Sequence, residues 1–483
     1  DYGGFYVLKK IIDSIYKTFK LKESGTSIKT EFIAAITNYF TFLYLITLIP
    51  EVIMDIFPGV IDKDGKFIND AIVYNNVSAG QMLISLTISA LIAAGIASIA
   101  VGALTNTPLI QGPSLTIATF ISYTVCRNFG YSYSQALAIV FISGVVFFLL
   151  AITGLEKRLH RVIPNNIKYA VTGGIGMYIV LQGLIKSYIF EKRGNGFLFI
   201  NLLNFNNTHN KTAMLTICGI ILIIILINKH IHGAIFIGKL VCILAAIPLG
   251  MTGNIYVNKV FISPFVFSIN MGGLIDKTSV KSIVVSLFNI GMIVFVICVI
   301  DIFETISTTI AMKNFIWLKP KECENVIDKE MPKILEVDSA TTSLGALIGM
   351  TTVSTYVESN TGVVEGARTG LTAIITGLLF IITVPFTAFT TAVPSAATAT
   401  TLIMAGVMIT GILKQINFED VSEALPAVLT VLSMVVLNKI IVGIAIGIIS
   451  YVLCNIFLFR KKIDIYLVVM SLFMLIMLIF TAI

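Results

Sequence analysis

The sequence predicts an all-α polytopic membrane protein with fourteen transmembrane segments arranged as two inverted repeats of seven. Three observations predict this class. Of the 483 residues, 57% are hydrophobic and only 12% are charged, which is too little charge to cover a soluble surface. Apolar runs such as 80–104 reach the roughly 20 residues that span a bilayer as a helix. A charged stretch at 313–337 separates seven apolar segments from seven more.

The apolar segments follow one another along almost the whole chain. They lie at roughly 31–49, 78–104, 110–126, 132–154, 167–188, 212–228, 234–251, 282–311, 338–350, 351–366, 369–390, 394–413, 421–437 and 440–458. An amphipathic segment, 1–30, precedes them and either lies on an anionic membrane surface or packs on the protein. An apolar tail, 459–483, follows them. Its run 463–482 either makes a fifteenth crossing or lies along the membrane.

The basic residues fall on one side of this arrangement. They cluster in gaps that follow an even number of crossings, at 9–29, 156–161, 229, 313–333, 414 and 460–462. Because basic residues are retained on the cytoplasmic side, we expect a multi-pass protein of the cell membrane with a cytoplasmic N-terminus. The net charge of +7 is therefore a topology signal, and we expect no nucleic acid partner. No cysteine or histidine pair has metal-ligand spacing, so we expect neither a metal site nor a cofactor.

Two interrupted segments occupy matching positions in the two halves. Since seven crossings is an odd number, homologous halves would have opposite orientations in the membrane, as in inverted-repeat transporters. The interrupted third segment, 104–124, then corresponds to the interrupted tenth, 349–367. Such a pair predicts a ligand site at the middle of the membrane. We expect extended backbone in each segment, followed by a half-helix that starts near Thr116 and near Tyr356.

Carboxylates are scarce within the apolar segments, and two groups of them are candidates for the ligand site. Glu358 follows the second interruption, where it either caps the half-helix or faces a ligand. In the eighth segment, four polar residues share one helical face: Asp301, Glu304, Thr305 and Thr308. An acid at the centre of a membrane helix costs roughly 2.5–3.5 kcal/mol on insertion scales, so we expect these acids to face the bundle interior. Because burial favours the protonated form of a carboxyl group, Glu304 and Asp301 are the candidates for proton coupling.

Structural roles stay open for several of these residues. Asp301 either contacts a ligand or makes a structural hydrogen bond to a neighbouring helix. Tyr356 either stacks on a flat ligand or packs within the bundle. Glu365 and Arg368, three residues apart, are expected to pair with each other near a helix end.

Seven stretches carry a resemblance to a known family. They run in order over nearly the entire chain, at 20–46, 112–125, 151–184, 232–240, 301–310, 338–380 and 425–436. The most specific is TYVES at 355–359 followed by GARTGLTA at 366–373. With these motifs the sequence resembles the AzgA-like purine permeases, a branch of the nucleobase/ascorbate (nucleobase:cation symporter) transporter family.

The resemblance implies both an architecture and a binding site. Residues 31–155 and 282–390 would form a core domain, and 156–281 and 391–458 a gate domain, often in a homodimer. The core would move against the gate like an elevator, with short strands of the third and tenth segments paired at mid-membrane. Substrate would contact residues of the third, eighth and tenth segments, namely Ser114, Leu115, Ala118, Asp301, Glu304, Thr308, Tyr356 and Glu358. Three departures from the family pattern, Ala118 for the usual Asn, Glu304 for the usual Asp and Ser307 for the usual Gly, leave the preferred base open.

The implied activity is secondary active import of hypoxanthine, guanine or adenine with a co-transported proton. Hydrogen bonding agrees, because a purine edge offers N–H donors to carboxylates and ring acceptors to the N–H groups of half-helices. The alternatives are a transporter of the same fold for uracil, xanthine or an anion, although several acids in the site would repel an anion. An enzyme would need a nucleophile or a metal set, and a channel a continuous polar stripe on several helices. The sequence shows neither, so we expect no enzyme.

Overall fold

The protein is described by a computed structural model. The described residues are 13–60, 68–154, 164–193, 196–199, 208–231, 233–252, 263–275, 279–316, 320–356, 358–437, 439–459 and 463–482. Within the predicted N-terminal amphipathic segment, residues 13–18 are helical. Its first twelve residues, and the basic gaps at 156–161 and 460–462, lie outside the described ranges.

Each of the fourteen predicted segments corresponds to one helix or half-helix among the described residues. The first half contains α1 (Ile28–Met54), α2 (Ala79–Thr105), α3 (Leu115–Thr119, continued by π-helix Phe120–Cys126), α4 (Tyr133–Thr153), α5 (Asn165–Lys186), α6 (Thr208–Asn228) and α7 (Ala234–Ala246). The second half contains α8 (Val280–Ile316), α9 (Pro320–Leu347), α10 (Ser359–Val364), α11 (Gly370–Ile382, continued by 3₁₀-helix Val384–Ala392), α12 (Ser395–Thr410, continued by 3₁₀-helix Gly411–Gln415), α13 (Val421–Val436) and α14 (Ile440–Leu453, continued by π-helix Cys454–Leu458).

The apolar tail and the connections add smaller elements. The tail forms α15 (Ile465–Ala482), which packs on α8 through a stacked pair of rings, Phe288 and Phe473. Two hairpins lie in connections: β1 (Ile72–Tyr74) with β2 (Val77–Ser78), and β4 (Phe190–Arg193) with β5 (Gly196–Phe199).

The charged stretch 313–337 between the two halves is not a simple connection. Helix α8 continues to Ile316, and α9 begins at Pro320, so most of the stretch is helical. Proline is well suited to a first helical position, where its missing N–H is not needed. The charged residues still lie at the boundary between the halves, but most of them belong to the end of α8 and to α9.

The helix contacts repeat with an offset of seven helices. Helix α2 packs on α11, and α9 packs on α4; likewise α6 packs on α12, and α13 packs on α5. Helices α2 and α9 are seven positions apart in the order of helices, and so are α4 and α11. The same holds for α6 and α13, and for α5 and α12. This exchange is the pattern of a two-fold axis that relates the two halves, as the predicted inverted repeat requires.

The helices pack in two groups. Helices α1–α4 and α8–α11 contact one another extensively, and α5–α7 contact α12–α14. Between the groups, α1 packs on α7 and on α12, and α3 packs on α5. Within the first group, α2 and α11 cross so closely that a Cβ on Gly102 would lie 2.5 Å from the Gly370 carbonyl oxygen.

By length and hydropathy alone, seven helices among the described residues could cross a membrane. An eighth results if α11 and its 3₁₀ continuation, bent by 64°, count as one span. Others are short or carry polar residues, and the half-helices α3 and α10 are completed by extended backbone. In a bilayer, such irregular backbone is tolerated only where protein or a wet cavity covers it. Several of the fourteen predicted segments are therefore not counted when only long, uninterrupted apolar helices are considered.

Candidate functional site

The two interrupted segments meet as a pair of short strands. Strand β3 (Gln111–Pro113) pairs antiparallel with β6 (Val353–Thr355), and all six residues are buried. Helices pack tightly over the pair: a Cβ on Gly112 would lie 3.0 Å from the ring of Phe42. The predicted strands of segments three and ten are therefore confirmed. A half-helix follows each strand within a few residues.

Two further backbone bonds lengthen this pairing. The Ser114 N–H donates to the Thr352 carbonyl at 2.9 Å, and the Tyr356 N–H donates to the Ile110 carbonyl at 3.2 Å. Because Tyr356 still belongs to the extended pairing, α10 begins only at Ser359. The prediction of a start near Tyr356 is wrong by three residues.

Ser114 connects the first half-helix to the eighth-segment acids. Helix α3 begins at Leu115, one residue from the predicted Thr116. The Ser114 hydroxyl accepts from the Ile117 N–H at 3.2 Å, which caps the helix, and donates to Glu304 Oε2 at 2.9 Å. The carboxylate of Glu304 therefore lies at the positive end of the α3 dipole, where negative charge is stabilised.

Glu358 takes the matching place before the second half-helix. It directly precedes α10, but its side chain makes no capping hydrogen bond. Of the two predicted roles, capping is therefore wrong, because the carboxylate turns toward α1 instead. There it accepts from the Tyr44 hydroxyl at 3.0 Å.

The two glutamates and Tyr356 form the centre of the site. The charges of Glu304 and Glu358 are close enough to repel each other, and the Tyr356 hydroxyl interacts electrostatically with both. That hydroxyl is buried and has no hydrogen-bond partner among the described residues. Its ring packs edge-on against Phe42, with 4.4 Å between centroids. Two acceptors and an unpaired phenol thus face one another where both half-helices begin.

Asp301 lies deeper than Glu304 on the same face of α8. It is 1% exposed, and its Oδ2 accepts from the Thr342 hydroxyl at 2.9 Å. Its Oδ1 has no hydrogen-bond partner in the described part of the chain. The predicted structural bond to a neighbouring helix is present on one oxygen, while the other oxygen is available to a proton.

One more buried acid, Asp338 on α9, lies beside Asp301 and Glu304. It was not predicted from the sequence. Its Oδ1 accepts from the Gln111 amide at 2.6 Å and from the Thr355 hydroxyl at 3.3 Å. Its Oδ2 accepts from the Thr305 hydroxyl at 2.7 Å. Asp338 is completely buried and joins β3, β6 and α8, so its contacts fix the position of the strands.

The sequence does contain a signal for Asp338. It is the first residue of the predicted ninth segment, 338–350, and borders the charged stretch. Asp338, Thr341, Thr342 and Gly345 recur at helical spacing and form one polar and small face of α9. That face packs on the strands: the Thr342 hydroxyl donates to the Val353 carbonyl at 2.8 Å.

The remaining predicted contact residues are held in the packing around the strands. Thr308 donates its hydroxyl to the Thr355 carbonyl at 3.3 Å. Leu115 and Ala118 on α3 are 3% and 0% exposed. Arg368, expected to pair with Glu365, directs its guanidinium to backbone carbonyls at the end of α10.

Helix α1 supports the second half-helix along its length, which the sequence did not indicate. Besides Tyr44, Asn38 accepts from the Gly362 N–H at 2.7 Å. Glu31, fully buried, accepts from the Thr372 N–H at 3.2 Å. These side chains bind free N–H groups at the starts of α10 and α11 and fix the position of Glu358.

Comparison with known proteins places the chain among transporters. The profile of a family described as "Permease family" matches residues 69–446. The guanine/hypoxanthine permease PbuO of Bacillus subtilis is 30% identical over 438 residues, which cover 90% of this chain and 93% of that protein. The adenine permease AdeQ of Escherichia coli is 28% identical over 438 residues, covering 91% and 90%.

A solved structure shows the same fold. The transmembrane domain of the cyanobacterial bicarbonate transporter BicA superposes with a TM-score of 0.58 at 13% identity, covering 87% of this chain and 97% of that one. At this identity the likeness concerns the fold alone. It confirms the predicted fold class, a helical bundle of seven plus seven inverted segments.

Replacing Asp338 by alanine should lower the melting temperature of the purified protein. The change leaves the donors of Gln111 and Thr305 without their acceptor, and each unpaired buried group costs about 1–3 kcal/mol. Asp338→Asn keeps one acceptor oxygen and should lose less. Thermal unfolding in detergent compares both variants with Glu419→Ala, which removes an exposed acid. Equal melting temperatures for Asp338→Ala and the control would contradict the assigned role.

Proposed function

Because the chain belongs to this permease family, we propose that it is a secondary active transporter that imports purine nucleobases, namely hypoxanthine, guanine or adenine. One observation carries the proposal: Glu304 and Glu358 stand at the starts of two half-helices that are joined by the β3–β6 pair. The relatives PbuO, a guanine/hypoxanthine permease, and AdeQ, an adenine permease, support the substrate class.

The chemistry of the site suits a neutral, flat base with alternating donors and acceptors. The carboxylates of Glu304 and Glu358 accept N–H groups of the base, and such charge-assisted bonds are strong. Those N–H groups at the starts of α3 and α10 that are not bound by Ser114, Asn38 or a turn carbonyl donate to ring nitrogens or carbonyls. The ring of Tyr356 offers a face for stacking, and its free hydroxyl offers one more polar contact.

The number of acidic side chains at the site supports proton coupling. Asp301, Glu304 and Asp338 interact electrostatically within one buried cluster. Three negative charges in a lipid-embedded bundle are costly, so a proton on Glu304 or Asp301 makes movement of the loaded site easier. Asp301 Oδ1 has no hydrogen-bond partner among the described residues, and Glu304 lies at the start of the half-helix α3, so we propose these two acids as the proton carriers.

The packing groups support an elevator-like movement. We assign α1–α4 and α8–α11 to a moving core, which matches 31–155 and 282–390, and α5–α7 and α12–α14 to a gate. The strands and every acid of the site belong to the first group. The ligand would therefore travel with the core as one body, while the gate stays in place.

Purine uptake into cells that lack their own permeases tests the substrate. Labelled hypoxanthine, guanine and adenine should accumulate, whereas uracil, xanthine and bicarbonate should not. Glu358→Gln should reduce purine uptake about ten- to a hundredfold, since a hydrogen bond to a charged group contributes about 1.5–3 kcal/mol. Glu419→Gln, an exposed acid, serves as the matched control. Uptake of uracil or bicarbonate instead, or full activity of Glu358→Gln, would refute the assignment.

Removal of one hydroxyl tests how Glu358 is positioned. Tyr44→Phe deletes the donor to Glu358, and we expect KM for the purine to rise about fivefold, the size of one ordinary hydrogen bond. Tyr39→Phe deletes a hydroxyl of the same helix that bonds Thr383 instead, and should leave KM unchanged. If both variants behave alike, Tyr44 does not act through Glu358.

The proton requirement is tested by comparing net uptake with exchange. Acidic external medium should stimulate uptake, and a protonophore should abolish accumulation. Glu304→Gln cannot release a proton, so accumulation should be lost while exchange of internal for external purine continues. Uptake that ignores the pH gradient and follows sodium would contradict proton symport without affecting the fold.

A further inference from the structure

One buried and one partly buried ion pair join α1 to helices of the other packing group. Lys186, the last residue of α5, lies 2.9 Å from Asp55 Oδ1, and Lys239 on α7 lies 3.0 Å from Glu51 Oε1. The two carboxylates are one helical turn apart at the end of α1. Their partners both belong to the group that we assign to the gate.

Burial makes these pairs strong contacts. The side chains of Lys239 and Glu51 are only 3% and 8% exposed, and those of Lys186 and Asp55 only 13% and 14%. A buried ion whose partner moves away, with no water to replace it, is strongly destabilised. The pairs therefore hold the two groups together as long as this region stays dry.

Asp55 also binds the half-helix that carries the ligand site. Its Oδ2 accepts from the Tyr123 hydroxyl at 2.7 Å. At its other end the same half-helix begins with Ser114, which binds Glu304. Nine residues of helix rise about 13 Å, so α3 connects the candidate site to Asp55 as one short rigid element.

A cavity lies beside the ion pairs. It is lined by Glu51, Asp55 and Lys186 together with Thr390, Val393 and Thr398. The last three residues lie on the α11 continuation, the turn after it and the first turn of α12, so the cavity is shared by both packing groups. Helices α1 and α5 both end here. With a cytoplasmic N-terminus, this is the outer end of the bundle.

We infer that Glu51, Asp55, Lys186 and Lys239 form a latch that holds core and gate closed at the outer end, and that must open to admit substrate through this cavity. The inference rests on the proposed elevator transport. When the core slides along the gate, ion pairs between them cannot persist in both positions, so they favour one conformation. Water that enters the opening cavity hydrates the separated charges, which makes the opening reversible.

Accessibility of the cavity tests the latch without any substrate. Val393→Cys places a half-buried reporter in the cavity wall, and a membrane-impermeant maleimide reads its exposure in intact cells. Labelling of the protein without the introduced cysteine measures the background from native cysteines such as Cys218, which is exposed. Lys186→Gln should raise the labelling rate about fivefold or more, because it weakens the closed state relative to the open one.

Matched variants separate the latch from general damage. Lys186→Arg keeps the charge and should label at the wild-type rate, as should Lys229→Gln, which alters an exposed lysine. Exchange of the charges, Asp55→Lys with Lys186→Asp, should bring labelling back toward the wild-type rate. Lys239→Gln probes the second pair independently. Melting temperatures establish that each variant is folded.

The outcomes distinguish the latch from the transport proposal. Unchanged labelling in folded Lys186→Gln and Lys239→Gln, or an exchange variant labelled as fast as the single change, would overturn the latch. If labelling responds as expected but purines are not carried, the latch stands and the substrate assignment fails. If purines are carried and labelling does not respond, the proposed function stands without the latch.

Discussion

The architecture depends on the need to satisfy backbone hydrogen bonds where two helices are interrupted inside a membrane bundle. An unpaired N–H or carbonyl in lipid costs several kcal/mol, so an interrupted helix is stable only if another segment completes its hydrogen bonds. Here each interruption completes the other through the β3–β6 pair and its two flanking bonds. The pairing leaves two helix N-termini facing one small region. Some of their N–H groups are bound by Ser114 and Asn38, and those that are not bound within the protein can serve a ligand.

The acids around this pairing differ in how far the protein satisfies them. Both oxygens of Asp338 accept hydrogen bonds, and it stabilises the strands. Asp301 has one bound oxygen and one free oxygen. Glu304 and Glu358 are half-buried. Glu304 interacts with the hydroxyls of Ser114, Thr116 and Ser354, and Glu358 accepts from the Tyr44 hydroxyl. Carboxylates with remaining acceptor capacity are the ones suited to protons and ligands, whereas a saturated carboxylate is suited to structure.

Helix α1 links the ligand site to the rest of the bundle. One part of it holds the second half-helix through Asn38 and Tyr44. Its end carries Glu51 and Asp55, which pair with lysines of the other packing group. A movement between the groups must therefore change contacts of the same helix that positions Glu358. Through α1, the position of the core relative to the gate and the position of Glu358 can therefore depend on each other.

The sequence by itself determined the number and order of the helices, the two interruptions and the eighth-segment acids. Hydropathy and helical spacing are local properties, and they already encode where a helix can cross and where it must break. Tertiary structure alone decided the partners. The packing of α9 reveals the partners of Asp338, and the packing of α1 reveals that Glu358 accepts from Tyr44 and does not cap its helix. Glu51 and Asp55 are paired with Lys239 and Lys186, which lie more than a hundred residues away along the chain. Hydrogen bonds and ion pairs between distant segments leave no periodic signal in a single sequence, so only the packed structure reveals them.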